Sequence, residues 1–180
     1  MTMLRIMVYS LAAILGFFSS HLLAKAGVYQ IELIIFSQAM PNTEVFEQTA
    51  SQINWPSVLT ELSAYKKPDN PALADRYAAL LKDPAYRPVL HVAWVQLVGE
   101  EVLSAPVHIQ SADGKLNGYL QMQQDQGLQM TVDLELTSNS GDGFSKTVIY
   151  RLNEKRHIKL NEVYYLDHPK FGVIAKISPL

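Results

Sequence analysis

Leu128-Gln-Met-Thr-Val-Asp-Leu-Glu-Leu136 alternates apolar and polar residues without a break. Leu128, Met130, Val132, Leu134 and Leu136 fall on one face, and Gln129, Thr131, Asp133 and Glu135 on the other. A period of two sustained over this stretch specifies a strand with one face on a core. Asp125-Gln126-Gly127 is a turn before it, and residues 116–124 alternate again with Leu116, Leu120 and Met122 inward. Asp113-Gly114 is a hairpin-type turn, preceded by a short strand at 105–111. Residues 88–98 (PVLHVAWVQLV) are apolar on both faces, which predicts a central strand covered on both sides. On the other side of the opening stretch, Ser138–Gly143 reads as a loop and 144–152 as a strand. A charged bend at 153–156, a short strand at 157–160 and a last strand at 171–177 follow. Strands in series with short turns predict an antiparallel meander.

The N-terminal half has a different texture. Residues 28–36 (VYQIELIIF) predict a first strand, with Tyr29, Ile31, Leu33 and Ile35 on one face and Gln30 and Glu32 opposite. Residues 37–84 hold five of the nine prolines, with helix-like pieces between them. The spacing of Leu73, Tyr77, Leu80 and Leu81 predicts a helix over 71–82, with Asn70 as N-cap, Pro71 at its first position and Asp83-Pro84 as its stop. Shorter helices at 43–51 and 56–63 are weaker expectations. The predicted class is α+β: an antiparallel β-meander sheet with a helical insertion, about 41–84, packed on it after the first strand.

The 180 residues bound a single domain, with 48% hydrophobic and 18% charged residues. Fifteen basic residues against 17 acidic give a formal charge of −2, which offers no electrostatic footprint for nucleic acid. Absence of cysteine excludes disulfides, thiol nucleophiles and Cys-ligated metals. Residues 1–26 read as a cleavable secretory signal. Arg5 is the positive region and Ile6–Phe18 the apolar run, too short to span a bilayer comfortably. Ala24-Lys25-Ala26 supplies small residues for cleavage after Ala26, and without cleavage the same run would anchor the chain in a membrane. The expected domain is then 27–180, with 13 basic and 17 acidic residues, a net charge of −4. An exported, cysteine-free domain fits a bacterial periplasm.

Candidate chemistry is sparse. Asp167-His168 could serve as an acid/base unit, but neighbours on an extended segment point to opposite faces, and a turn before Pro169 explains both. His91 could join them at a metal, yet no ligand spacing supports this, and a satisfied structural histidine is the simpler reading. No Gly-x-Ser-x-Gly and no phosphate loop is present. No catalytic residue, metal or cofactor is therefore assigned. The basic run Glu154–Lys159 could meet carboxylates through Arg156, or else protect an edge strand. Tyr86, Trp94, Tyr164, Tyr165 and Phe171 could stack on sugar rings, although Trp94 alternates with Leu90 and Val92 in a way that favours burial.

Several stretches together carry a resemblance. They are Tyr29–Phe36, Tyr86-Arg-Pro-Val-Leu-His-Val-Ala-Trp-Val-Gln96, Leu116-Asn-Gly118 and Tyr165-Leu-Asp-His-Pro-Lys-Phe-Gly-Val173. In combination and order they resemble the CsiV-like periplasmic proteins of gammaproteobacteria, although residues 37–84 are more compact than the middle region of those members. The resemblance implies peptidoglycan binding and a role in cell shape. It further implies as partners a bifunctional penicillin-binding protein and its outer-membrane lipoprotein activator. On this footing the expected function is non-catalytic wall binding, with Tyr86, Arg87, His91, Trp94, Gln96, Tyr165, Asp167 and His168 as candidate ligand contacts. Two other classes remain open: a wall hydrolase using Asp167, His168 and Glu162, and a carrier of a small apolar ligand.

Overall fold

The computed structural model describes residues 26–39, 48–99, 104–139 and 147–180. The expected signal up to Lys25, residues 43–47 of the first expected helix and most of the 138–143 loop lie outside the described residues. The elements are β1 (Gly27–Gln38), β2 (Thr60–Glu61), a 3-10 turn (Leu62–Ala64), α1 (Ala74–Leu80), β3 (Tyr86–Val98), β4 (Val107–Gln110), β5 (Leu116–Gln124), β6 (Leu128–Asn139), β7 (Thr147–Ile158), β8 (Val163–His168) and β9 (Phe171–Pro179). They form two sheets, one in the order β3-β1-β9-β8 and the other β2-β4-β5-β6-β7.

The inner faces of the two sheets share one core. Ile31, Leu33 and Ile35 of β1, Trp94 of β3 and Val173 of β9 meet Leu120 and Met122 of β5 and Met130, Val132 and Leu134 of β6. Each such side chain contributes about 1.5–3 kcal/mol on burial. The period of two in β5 and β6 selects these inward residues, as their sequences predict. A second, smaller cluster lies on the opposite face of the first sheet, where Leu73, Tyr77 and Leu80 of the helical segment cover Ile34, Phe36, Tyr86 and Ile174.

Several expectations need correction. The broad α+β class holds, but the chain is mostly β, and sequential order is kept in β4 to β7 and in the β8–β9 pair while β1 and β3 break it. β1 lies between β3 and β9, far away in sequence, because both of its faces are apolar enough to need cover. β3 is therefore an edge strand and not the central one, and its free edge meets the chain at the Lys66–Val95 bridge. β7 is continuous through the expected bend at 153–156. Each of its residues has a partner on β6, and this ladder prevails over local charge, with Glu154 and Arg156 paired at 2.8 Å on an edge strand. β8 is an addition to the expected strands, its alternation hidden in sequence by aromatic and charged neighbours.

The helix is shorter than 71–82, and Asn70 does not cap it. The Glu32 carboxylate of β1 accepts the Ala72 and Leu73 N–H groups, the second at 3.1 Å, while Gln30 Nε2 donates to the Asn70 carbonyl at 3.1 Å. The cap thus comes from another strand. Residues 48–51 and 56–59 are not helical, and the chain over 60–64 is a two-residue strand and a 3-10 turn.

The segment from Gln48 to Thr60 crosses the outer face of the second sheet. The Gln48 carbonyl accepts the Ile149 N–H of β7, and Gln48 Nε2 and the Gln52 N–H both donate to Glu135 Oε1 of β6, at 2.8 and 2.7 Å. Trp55 then lies against Tyr119 of β5 and His108 of β4. Asp133 on the same face is buried and takes a bidentate pair from Arg151, both contacts at 2.8 Å. The Asp133 and Glu135 end of this polar face is therefore covered and satisfied rather than solvated, while Gln129 Oε1 at its start is buried with no hydrogen-bond partner among the described residues.

Gly118 lies within β5 opposite Leu134. Its φ is +153°, and a Cβ there would collide with the Asp133 carbonyl and crowd the Leu134 Cα. A side chain would push β5 off β6. Gly118→Ala is expected to cost about 2–3 kcal/mol, read as a lower urea midpoint with an unchanged slope.

Candidate functional site

The site begins with an irregularity in one strand pair. β1 and β3 pair in register from Gly27–Val98 to Ile35–Leu90, and then the register shifts, so that Phe36 faces Pro88, Ser37 faces Arg87 and Gln38 faces Tyr86. The extra residue is Val89, and Val89 and Leu90 both pack on the core. Such a bulge reverses the facing of everything beyond it. Simple alternation from Trp94 would turn Tyr86 inward and Arg87 outward. The bulge instead sends Tyr86 to the outer face, where its ring meets Phe36 edge-on at 5.4 Å, and turns Arg87 toward the gap between the sheets.

At that end of the sandwich lies a cleft of about 580 Å³. The first sheet lines it with Ser37, Gln38, Arg87, Val89 and Lys170, and the second with Asp113, Lys115, Leu136, Thr137, Ser138 and Tyr150. Among the described lining residues, three cations face one carboxylate. Asp113 is occupied in closing the β4–β5 turn: its Oδ1 accepts the Ser111 hydroxyl at 2.6 Å and the Lys115 N–H at 3.1 Å. Those bonds, the Ser111 hydroxyl first, hold its carboxyl below the usual range. Its ion pair with Lys115 is loose, 3.7 Å between two well-exposed side chains, and such pairs contribute little. Arg87 and Lys170 have no ion-pair partner among the described residues.

The C-terminal motif meets the cleft through Gln38. The Gln38 N–H donates to the Lys170 carbonyl at 2.9 Å, and its Nε2 donates to Asp167 Oδ1 at 2.9 Å and to the His168 carbonyl at 3.2 Å. Pro169 and Lys170 form the two-residue turn between β8 and β9, and His168 Nδ1 accepts the Lys170 N–H at 3.1 Å. The His168 ring lies 5.3 Å from Phe171 and 5.8 Å from Tyr150. Asp167 faces the other way, where the Tyr165 hydroxyl donates to it at 2.9 Å. The two neighbours therefore serve different faces.

The eight candidate ligand contacts divide once their places in the fold are known. Tyr86, Arg87, Tyr165, Asp167 and His168 come together around the end of β1. Trp94 is 1% exposed, and its Nε1 donates to the buried Gln96 Oε1 at 3.0 Å. Gln96 in turn donates to the Ala105 carbonyl at 3.3 Å. Both belong to the core. His91 lies under the helix, with Nε2 2.7 Å from the fully buried Glu32 and Tyr77 over its ring at 4.6 Å. It is on the opposite face of the sheet from His168. Gly172 leaves room for the stacked rings of Phe36 and Tyr165, since a Cβ there would lie 2.7 Å from Phe36. Gln38, Lys115, Tyr150 and Lys170 are lining or bridging residues that no sequence pattern singles out. Lys170 sits inside a motif of the resemblance and Lys115 directly after a recognisable turn, but only the meeting of the two sheet ends relates them.

A family model described as "Peptidoglycan-binding protein, CsiV" matches residues 6–180, nearly the whole chain. No curated protein and no solved structure matches.

Burial, and then the hydrogen bond to Asp167, pushes the Tyr165 phenol up to about 12. The fold thus favours the neutral phenol over the ordinary value of about 10. This stabilisation is complete below about pH 10 and is lost as pH rises through the folded value. Denaturant stability measured upward from about pH 9 should fall more steeply for the wild type than for Tyr165→Phe.

Proposed function

The chain belongs to the CsiV peptidoglycan-binding family, and from that premise we propose that it is a non-catalytic periplasmic accessory protein of cell-wall synthesis that holds peptidoglycan at the Arg87 end of its sandwich. Residues 27–180 work as one domain, a reading supported by the single core cluster that joins the two sheets. The observation that carries the proposal is the cleft itself. Hydroxyl and amide groups from Ser37, Gln38, Thr137 and Ser138 line its walls, with Arg87, Lys115 and Lys170 among them. Peptidoglycan offers the complementary groups: N-acetyl amides, hydroxyls and peptide carboxylates.

Binding without cleavage is supported by the engagement of the acid/base candidates. Asp167 is held by Gln38 and Tyr165, and His168 Nδ1 accepts a backbone N–H. These contacts orient a turn and do not point a carboxylate at an imidazole. A mature charge of −4 exerts no long-range pull on an anionic wall, so attraction is local to the cleft. The leader-like residues 1–26 and the family resemblance support a periplasmic location. The resemblance also supports action on cell shape through a bifunctional penicillin-binding protein and its outer-membrane lipoprotein activator.

Protein produced from the full-length chain is expected to co-sediment with purified sacculi at about micromolar concentration and to release no soluble muropeptides. Protein that stays in the supernatant, or that liberates muropeptides, refutes the proposal.

A further inference from the structure

We infer that the end cleft recognises a free carboxylate of the peptidoglycan stem peptide and not the sugar rings of the glycan strand. The inference rests on the wall-binding reading and assigns its ligand group.

Two observations separate the alternatives. Sugar rings are gripped by exposed aromatic faces, and the aromatic residues of the family-like motifs are engaged elsewhere. Trp94 is inside the core, and Tyr86 packs under the helix against Phe36. Tyr165 stays 46% exposed, but it lies on the outer face, stacked on Phe36, and does not line the cleft. Tyr150 is the one aromatic wall residue among the described lining, and it is half-buried against the core.

The charge in the cleft points the other way. Arg87, Lys115 and Lys170 converge from three separate segments onto one opening, opposed among the described lining residues by Asp113 alone, in a chain whose total charge is negative. Arg87 is aimed there by the Val89 bulge and has no carboxylate partner among the described residues. A planar guanidinium presents two parallel N–H groups that match a carboxylate, while the lysines act as point charges beside it. The volume, about 580 Å³, suits a short peptide end. The Thr137 and Ser138 hydroxyls are placed to bond the peptide backbone, whereas the Ser37 hydroxyl donates to the Arg87 carbonyl and Gln38 Nε2 to Asp167 and the His168 carbonyl.

The test compares three soluble ligands by titration calorimetry, using protein produced from the full-length chain. They are a disaccharide–peptide muropeptide, the same muropeptide with its peptide carboxylates amidated, and the disaccharide freed of peptide by an amidase, with the lactyl carboxylate that this hydrolysis leaves on the sugar converted to its primary amide. The first should bind, and the other two should bind at least about tenfold more weakly. Arg87→Glu and Lys115→Glu should each weaken muropeptide binding by about tenfold or more, with an unchanged melting temperature. Arg87→Lys keeps the charge and loses the fork, so it should fall between wild type and Arg87→Glu. Equal binding of the peptide-free disaccharide, with sacculi still sedimenting the protein, overturns this inference and leaves wall binding intact. Tighter binding of inorganic pyrophosphate than of muropeptide also overturns it, in favour of a phosphate ligand. Failure of the wild type to sediment with sacculi overturns both readings.

Discussion

β1 is covered on both faces, and the rest of the structure answers to that constraint. Its inner residues Ile31, Leu33 and Ile35 need a second sheet, and its outer residues Ile34 and Phe36 need the helix. The same outer face carries Glu32, which is completely buried. A carboxylate removed from water must be paired or hydrogen-bonded. Glu32 therefore gathers His91 from β3 and two backbone N–H groups from the chain before α1. One side chain of the first strand thereby fixes a neighbouring strand and the start of the only α-helix among the described residues.

The binding end follows from how that strand finishes. Had β1 and β3 stayed in register, Arg87 would face the helix side and Tyr86 the core. One bulged residue exchanges them. The aromatic ring joins Phe36, Tyr165 and Gly172 in a packed row, and the guanidinium is presented to the cleft. The motifs that resemble a wall-binding family thus do two kinds of work. Trp94, Gln96, Gly118 and Gly172 satisfy packing and close approach, while Arg87 and the turn carrying Lys170 face the opening. Motif membership alone does not distinguish these roles.

Much of the second sheet is legible from local pattern. The bounds of β5 follow its alternation, and β6 begins where its apolar period begins. The period is a property of neighbouring residues, so it survives whatever the rest of the chain does. The helix bounds differ from the local pattern because the cap comes from Glu32, 41 residues before Leu73. Local charge in β7 looks like a break, whereas its pairing to β6 spans the whole length. β3 looks central because apolar residues on both faces signal cover on both faces, and the helix and the second sheet supply that cover at a sheet edge.

For the candidate site, sequence points to five of the residues around the end of β1 but does not separate them from Trp94, Gln96 and His91. By itself the sequence determined which side chains could be apolar on one face, where tight turns fall, and that no thiol chemistry is available. These are matters of residue type and short-range spacing. Only the tertiary structure decided that two sheets form, that a bulge at Val89 reverses the facing of Arg87, and that Lys170 from the same sheet and Lys115 from across the gap line one cleft with it. Those outcomes depend on which distant strands pair and in what register, and pairing is set by the burial of the whole core rather than by any one stretch of chain.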